Sequence, residues 1–258
     1  MKLFVMSDIH SFYNEMTDAL HKQGFDMNNN DHHLVVCGDL FDRGPDAVKT
    51  FEFVKALNDM GRLTYICGNH EELLFDCIEN IRKRRIVERH HETNGTLDTL
   101  VQLTGIGKYD LGYGFCDINE FEEKIKPYTD FIMENAIDYA EFANKYVFVH
   151  GWIPCDPLSG RVSENWEDAS VADWQSARWL NGMNAWHRGA RLEGKTIICG
   201  HFHASWGHSH LHCDRKEIPQ KNHTNWQKSF EPFEDEGIMA IDACTAFSGF
   251  CNCVVLEV

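Results

Sequence analysis

Leu34-Val35-Val36-Cys37-Gly38-Asp39-Leu40-Phe41-Asp42-Arg43-Gly44-Pro45 sets four apolar residues directly before a glycine, two acids and an arginine, and closes on a glycine-proline pair. The apolar run has the length of a strand buried on both faces and is too short for a helix. Gly44-Pro45 opens a helix that carries Ala47, Val48, Phe51, Val54 and Leu57 on one side and stops at Gly61. The local unit is therefore strand, polar turn, helix, and it recurs on either side. Upstream, Lys2 to Ser7 reads as a strand followed by Asp8-Ile9-His10, after which Phe12, Met16, Ala19 and Leu20 recur at helical spacing, with Ser11 as cap and Gly24 as stop. Downstream, Leu63-Thr64-Tyr65-Ile66-Cys67 is a strand followed by Gly68-Asn69-His70-Glu71, and a helix from Glu71 runs into Lys83-Arg84-Arg85. Strands and helices in alternation are the pattern of βαβ units with parallel strands.

Beyond this core, residues 88–145 are more polar and largely helical, interrupted by Gly105-Ile106-Gly107 and Gly112-Tyr113-Gly114, and read as an insertion or cap over about 80–145. Tyr146-Val147-Phe148-Val149 returns as a strand, a tryptophan-rich second insertion fills about 152–195, and Lys195 to Cys199 is a further strand. Gly237 to Asp242 and Asn252 to Val258 supply closing strands of what reads as one domain over residues 1–258. Composition narrows the function classes. With 24 Lys+Arg against 40 Asp+Glu the net charge is −16, which repels a phosphate backbone and argues against general nucleic-acid binding. No apolar run approaches the ~18–20 residues of a membrane helix, and the N-terminus reaches Asp8 before a signal-peptide core could be completed, so the expected location is cytoplasmic, with no membrane partner. The ten cysteines are scattered, with Cys37, Cys67 and Cys199 inside apolar runs, and read as reduced, buried thiols; Cys251-Asn252-Cys253 reads as strand rather than zinc site.

Five strands are each followed at once by groups able to bind metal: Asp8 and His10, Asp39, Asn69-His70, His150, and His201-x-His203. Any one of these alone is an ordinary turn or strand end. Together they occupy the position, beyond the carboxyl ends of strands, where open α/β sheets bind ligands. Asp, His and Asn without cysteine favour Mn²⁺, iron or Zn²⁺. Asp8, His10, Asp39, Asn69, His150, His201 and His203 are too many ligands for one ion, so two divalent ions are expected, ~3.5–4 Å apart with Asp39 between them.

In this order the motifs resemble the calcineurin-like metallophosphoesterase superfamily, with the likeness spread over residues 8–203. Gly38 to Gly44 with Gly68 to Glu71 resembles its phosphoprotein phosphatase branch, which holds serine/threonine phosphatases, small bacterial and phage phosphatases, and symmetrical diadenosine tetraphosphate hydrolases. The resemblance implies an α/β fold, a four-layer αββα sandwich of two mixed sheets flanked by helices, with a helical insertion. It implies that Asp8 and His10 hold one metal, that Asn69, His150 and His201 hold the other, and that Asp39 bridges. His203 matches a superfamily ligand to the first metal that this branch often replaces. By the same resemblance His70 is the acid that protonates the leaving oxygen, Asp42 orients it, and Arg43 clamps the substrate phosphate near Asn69. A second clamp comes from Arg161, Arg178, Arg188 or Arg191; Arg178 is preferred because it follows a tryptophan and stands 23 residues before His201.

The expected function is a metal-dependent phosphomonoesterase of serine/threonine phosphatase type acting on phosphoproteins or small phosphate esters. Hydrolysis of diadenosine polyphosphates or other nucleotides is the alternative, and a non-catalytic metal-dependent scaffold a third reading that gives His70, Asp42 and Arg43 nothing to do. Three further features take plainer readings. His208 to Cys213 reads as a strand or loop edge rather than a separate zinc tract, Arg82-Lys83-Arg84-Arg85 as a solvated helix end, and the tryptophans at 152, 166, 174, 179 and 186 as packed core rather than groove lining.

Overall fold

In the computed structural model, which describes residues 1–211 and 229–258, the chain opens with β1 (Lys2–Met6), α1 (Tyr13–Lys22), β2 (His32–Cys37), α2 (Ala47–Asp59), β3 (Leu63–Ile66) and α3 (Asn69–Arg82). Four helices follow, α4 (Arg89–Asn94), α5 (Thr96–Thr104), α6 (Lys108–Gly112) and α7 (Ile118–Asn135), before β4 (Ala136–Ile137). The second half runs β5 (Ala140–Phe142), β6 (Tyr146–Phe148), α8 (Val171–Arg178), α9 (Gly182–His187), β7 (Thr196–Cys199), α10 (Ser205–His210), β8 (Phe233–Asp235), β9 (Ile238–Ala240), α11 (Thr245–Ser248) and β10 (Val254–Glu257).

Two mixed sheets result, ordered β10-β1-β2-β3-β4 and β5-β6-β7-β9-β8. β1 to β4 are parallel and β10 antiparallel at the edge, while β6, β7 and β9 are parallel between antiparallel β5 and β8. Period-two alternation explains why both sheets are covered on both faces. Leu3, Val5, Val35 and Cys37 meet Phe148, Ile198 and Ile241 between the sheets. Their neighbours Phe4, Met6, Leu34 and Val36 turn the other way, against Met16 and Leu20 of α1, Phe51 and Val54 of α2, and Leu74 and Ile78 of α3. On the far side Val147, Ile197, Cys199, Ile238 and Ala240 pack on Trp174 of α8 and on Met183 and Trp186 of α9. Each buried Val, Leu, Ile, Phe or Met side chain contributes ~1.5–3 kcal/mol, and the layers these residues make are helix, sheet, sheet, helix, the sandwich expected from the motifs.

Several local expectations need correction. Ser11 does not cap α1: the helix begins two residues later behind Phe12, and Ser11 Oγ is buried without a partner because the loop before it turns through left-handed backbone to present His10. Asp46, not Gly44-Pro45, stands at the start of α2. The helical part of the first insertion ends at Asn135; β4 and β5 follow within the expected insertion and edge the two sheets, too short for periodicity to show. β8 went unread for the same reason. His208 and His210 lie on α10, a helix rather than a strand or loop edge, and His212 and Cys213 fall outside the described residues.

Candidate active site

Parallel strands bring their carboxyl ends to one edge of each sheet, and at that edge the backbone repeatedly leaves the ordinary regions. Asp8 (φ 52°), His10 (51°), Asp39 (54°), Asp42 (77°), Arg43 (61°) and His201 (64°) all adopt left-handed backbone. Each costs ~1–3 kcal/mol in a non-glycine residue, and such strain gathers where function over-determines the geometry. Two glycines are fixed by close approach. A Cβ at Gly68 would collide with Asp39 Oδ1, and one at Gly200 with Ser7 Oγ and Asp8 Oδ2.

The side chains converge accordingly. His10 Nδ1 is 2.8 Å from Phe41 O and His150 Nδ1 2.8 Å from Cys37 O, so each ring donates backward to a carbonyl and presents Nε2 to the site. His150 Nε2 lies 2.8 Å from Asn69 Oδ1 and 3.3 Å from Asp39 Oδ1. His10 Nε2 lies 3.7 Å from Asp39 Oδ2 and 3.9 Å from Asp8 Oδ1. Asp8 Oδ2 accepts the backbone N–H of His201 at 2.9 Å, tying β1 to the end of β7 across the two sheets. Ligand atoms of Asp39, His150 and His201 fall within 4.8 Å of one another, as do those of His10, Asp39 and His70. Asp39 is thus common to both groups.

Burial sets the charge states. It holds His10 well below the usual imidazole range, with Arg43 and His70 adding to the effect, and pushes His201 down to about 3, helped by the neighbouring His150. Both rings are therefore neutral, with lone pairs to offer. Burial raises the Asp39 carboxyl while His150 and His70 pull it back. Imidazoles anchored through their far nitrogens, buried carboxylates and an amide oxygen, with no thiolate, form a donor set that suits a divalent metal ion.

Beside these groups His70 Nδ1 sits 2.7 Å from Asp42 Oδ2. Asp42 is held in turn: Thr96 Oγ1 donates to the same oxygen at 2.7 Å, and Thr99 Oγ1 accepts the Asp42 N–H at 3.0 Å. Burial alone would lower the His70 pKa, but the carboxylates of Asp39 and Asp42 outweigh it and raise it to about 9. The Arg43 guanidinium rests on two histidines, its nitrogens 2.8 Å from His10 Nε2 and 3.1 Å from His70 Nε2. A charged imidazole held by a carboxylate, a planar cation and a cluster of groups that could hold a metal ion, in one place, are what neutralising, clamping and protonating a phosphate ester would require.

A family model described as calcineurin-like phosphoesterase matches residues 1–214. The chain belongs to this family. A 77-residue stretch is 36% identical to the bis(5'-nucleosyl)-tetraphosphatase PrpE, asymmetrical, of Bacillus subtilis, covering 28% of this chain and 32% of the relative. An 85-residue stretch is 33% identical to the symmetrical bis(5'-nucleosyl)-tetraphosphatase of Colwellia psychrerythraea, covering 33% of this chain and 28% of the relative. These matches span about a third of the curated relatives' length. Among solved structures, the cold-active protein-tyrosine phosphatase of a psychrophilic Shewanella species aligns at 17% identity and TM-score 0.49, over 99% of this chain and 75% of that one. Among the described residues no helix is long and apolar enough to cross a membrane.

Two residues expected in the site of this calcineurin-like phosphoesterase stand apart from the tight clusters. His203 turns Nδ1 onto Ser205 Oγ at 2.6 Å and its ring toward Phe230. Arg178 is engaged by Glu72 at the start of α3 and by Asp138 between β4 and β5. Trp179 departs from the packed-core reading: it is 49% exposed with its ring edge-on 5.8 Å from His201, while the tryptophans at 152, 166, 174 and 186 are buried. Four contributors were missed. Glu71, quoted only as part of a motif, accepts from Asp39 N (3.1 Å), Leu40 N (2.9 Å), Gly68 N (2.7 Å) and Tyr65 Oη (2.7 Å). Thr96 and Thr99, one turn apart on α5, lay in what read as insertion. Asp242 follows β9 in the same strand-end position as the other acids, a signal the sequence did carry. Its carboxyl is pushed well above the usual range by burial and by Asp8, and it accepts Cys244 N at 2.6 Å.

Proposed function

We propose that the chain is a metal-dependent phosphoester hydrolase acting on dinucleoside polyphosphates or related nucleotides. The observation that carries the hydrolase reading is the His70–Asp42 pair, 2.7 Å apart, beside two ligand groups that share Asp39. Asp8, His10 and Asp39 would hold one ion and Asp39, Asn69, His150 and His201 the other; Mn²⁺, iron and Zn²⁺ suit these donors. When bound, such ions supply activation of water at neutral pH and neutralisation of phosphate charge.

The chain's own residues do the rest. Arg43 offers a planar fork to the phosphate oxygens, and Arg178 serves in this reading as a second clamp drawn from Glu72 and Asp138 by the stronger charge of a phosphate. His70 carries the proton that the leaving oxygen takes, and Asp42 keeps the ring charged and aimed. For the substrate, the similarity to bis(5'-nucleosyl)-tetraphosphatases supports the nucleotide alternative over the phosphomonoesterase expected first.

The deciding experiment is turnover of Mn²⁺-reconstituted protein on diadenosine tetraphosphate, a phosphothreonine peptide, p-nitrophenyl phosphate and bis-p-nitrophenyl phosphate. Preference for the dinucleotide is expected, and preference for the peptide would return the reading to a protein phosphatase. Two bound ions with no turnover on any of them would make the chain a scaffold. Arg43→Lys keeps the charge but loses the fork, so KM on the preferred substrate should rise about tenfold, one lost charge-assisted bond at ~1.5 kcal/mol, with metal content unchanged. An unaltered KM would remove Arg43 from the clamp.

A further inference from the structure

Asp76 lies on the exposed side of α3, two turns beyond the residues that enter the site, and faces the first turn of α4. There His91 Nε2 is 3.0 Å from Asp76 Oδ2, and the His90 ring overlaps that of His91 with centroids 3.9 Å apart. One ligand atom from each of the three residues falls within 4.8 Å of the others, and Glu88 Oε2 stands 3.4 Å from His90 Nδ1 at the rim. The His91 side chain is wholly buried, yet its Nδ1 has no hydrogen-bond partner. A buried ring with one nitrogen on a carboxylate and the other unsatisfied, beside a second imidazole, is a place to look for an ion. The side chains of His90 and Asp76, by contrast, are 43% and 59% exposed, so the cluster opens to solvent.

We propose that Asp76, His90 and His91 form a zinc site separate from the active centre, with Glu88 in reach as a fourth ligand. Two imidazoles and one or two carboxylates are a donor set for Zn²⁺, which takes four ligands at ~2.0–2.2 Å in a tetrahedron. Burial lowers the His91 pKa and His90 adds to the effect, while Asp76 and Glu88 pull it back up. Placement gives the ion a consequence. α3 begins with Asn69 and His70, and α4 leads through Gly95 into Thr96 and Thr99, the two residues that hold Asp42. An ion joining Asp76 to His90 and His91 therefore fastens the helix of the acid to the segment that orients the acid's carboxylate.

The test is zinc stoichiometry of the full chain, stripped with chelator, dialysed against Zn²⁺ and counted by elemental analysis, in the wild type and in His90→Ala and Asp76→Asn. Every other histidine and carboxylate is the same in the three proteins, so a difference in count belongs to this cluster. One fewer zinc per chain is expected in each variant, together with loss of part of the zinc-induced rise in unfolding midpoint. Both substitutions are at exposed side chains, and far-UV circular dichroism in the absence of metal checks that the fold is intact. Equal zinc counts and equal midpoint shifts in all three proteins would overturn the proposal. Because the readout is binding, it stands or falls apart from whether the active centre hydrolyses nucleotides.

Discussion

Substituting His70 with asparagine is expected to lower turnover of a phosphothreonine peptide by about 10²–10⁴-fold, the usual worth of a positioned general acid, while the content of bound metal stays as in the wild type. Asparagine keeps a polar side chain at the start of α3 and leaves every proposed ligand in place, so the loss isolates proton delivery. The size of the effect should depend on the leaving group. An alkoxide cannot depart from phosphorus without a proton, whereas a nucleotide phosphate or a nitrophenolate can, so the asparagine variant should lose most on the phosphothreonine peptide and least on p-nitrophenyl phosphate and the dinucleotide. Steady-state kinetics on these substrates, with elemental analysis of the same preparations, reads both quantities. Equal losses on all of them would move His70 from proton donor to substrate positioning, and unchanged rates would remove it from the chemistry. Thr96→Val tests the dyad from behind. It removes one hydrogen bond to Asp42, 2.7 Å long in the structure, and should cost less than the loss of His70 itself.

What the sequence disclosed follows from the range of the forces involved. Strands β1, β2, β3, β6 and β7 are central, buried on both faces, and their apolar runs announced them; β4, β5 and β8 are edge segments of two or three residues whose pairing is decided by distant neighbours. The convergence of the strand-end groups was legible because parallel strands put consecutive strand ends together, so position in the chain implied position in space. Thr96 and Thr99 were hidden because their role depends on α5 docking against the loop after β2, a contact across more than fifty residues that no local pattern encodes. Arg178 illustrates the reverse case. Spacing placed it between the right motifs, but spacing carries no information on Glu72 and Asp138, the two carboxylates that engage it.

Glu71→Gln should be the change most damaging to fold and metal binding together among those that replace no proposed ligand. The Glu71 carboxylate accepts four hydrogen bonds, Oε2 from Asp39 N and Gly68 N, Oε1 from Leu40 N and Tyr65 Oη. It thereby ties the loop after β2, which carries Asp39, to the loop after β3 that leads into Asn69 and His70 at the start of α3. Glutamine can keep one acceptor oxygen. Its amide nitrogen must then face a backbone N–H in either orientation, because each carboxylate oxygen receives at least one, and a donor set against a donor leaves both unsatisfied. Hydrogen bonds to a charged acceptor are worth ~1.5–3 kcal/mol each and an orphaned buried donor costs ~1–3 kcal/mol, so a loss of about 3 kcal/mol in unfolding free energy is expected after the easier desolvation of a neutral side chain is allowed for. Metal affinity should fall in step, by about 10–100-fold, as for other residues that orient ligands from behind. Denaturant unfolding of the metal-free protein reads the first effect, and competitive titration with a chromogenic chelator the second. If the variant unfolds earlier but binds metal as tightly as the wild type, Glu71 stabilises the fold without setting the distance between the loops. If it loses metal affinity while its unfolding curve is unchanged, the carboxylate acts on the ligands alone. The geometry requires both losses together, because the same four bonds that hold Asp39 in its left-handed turn also fix the first residues of α3.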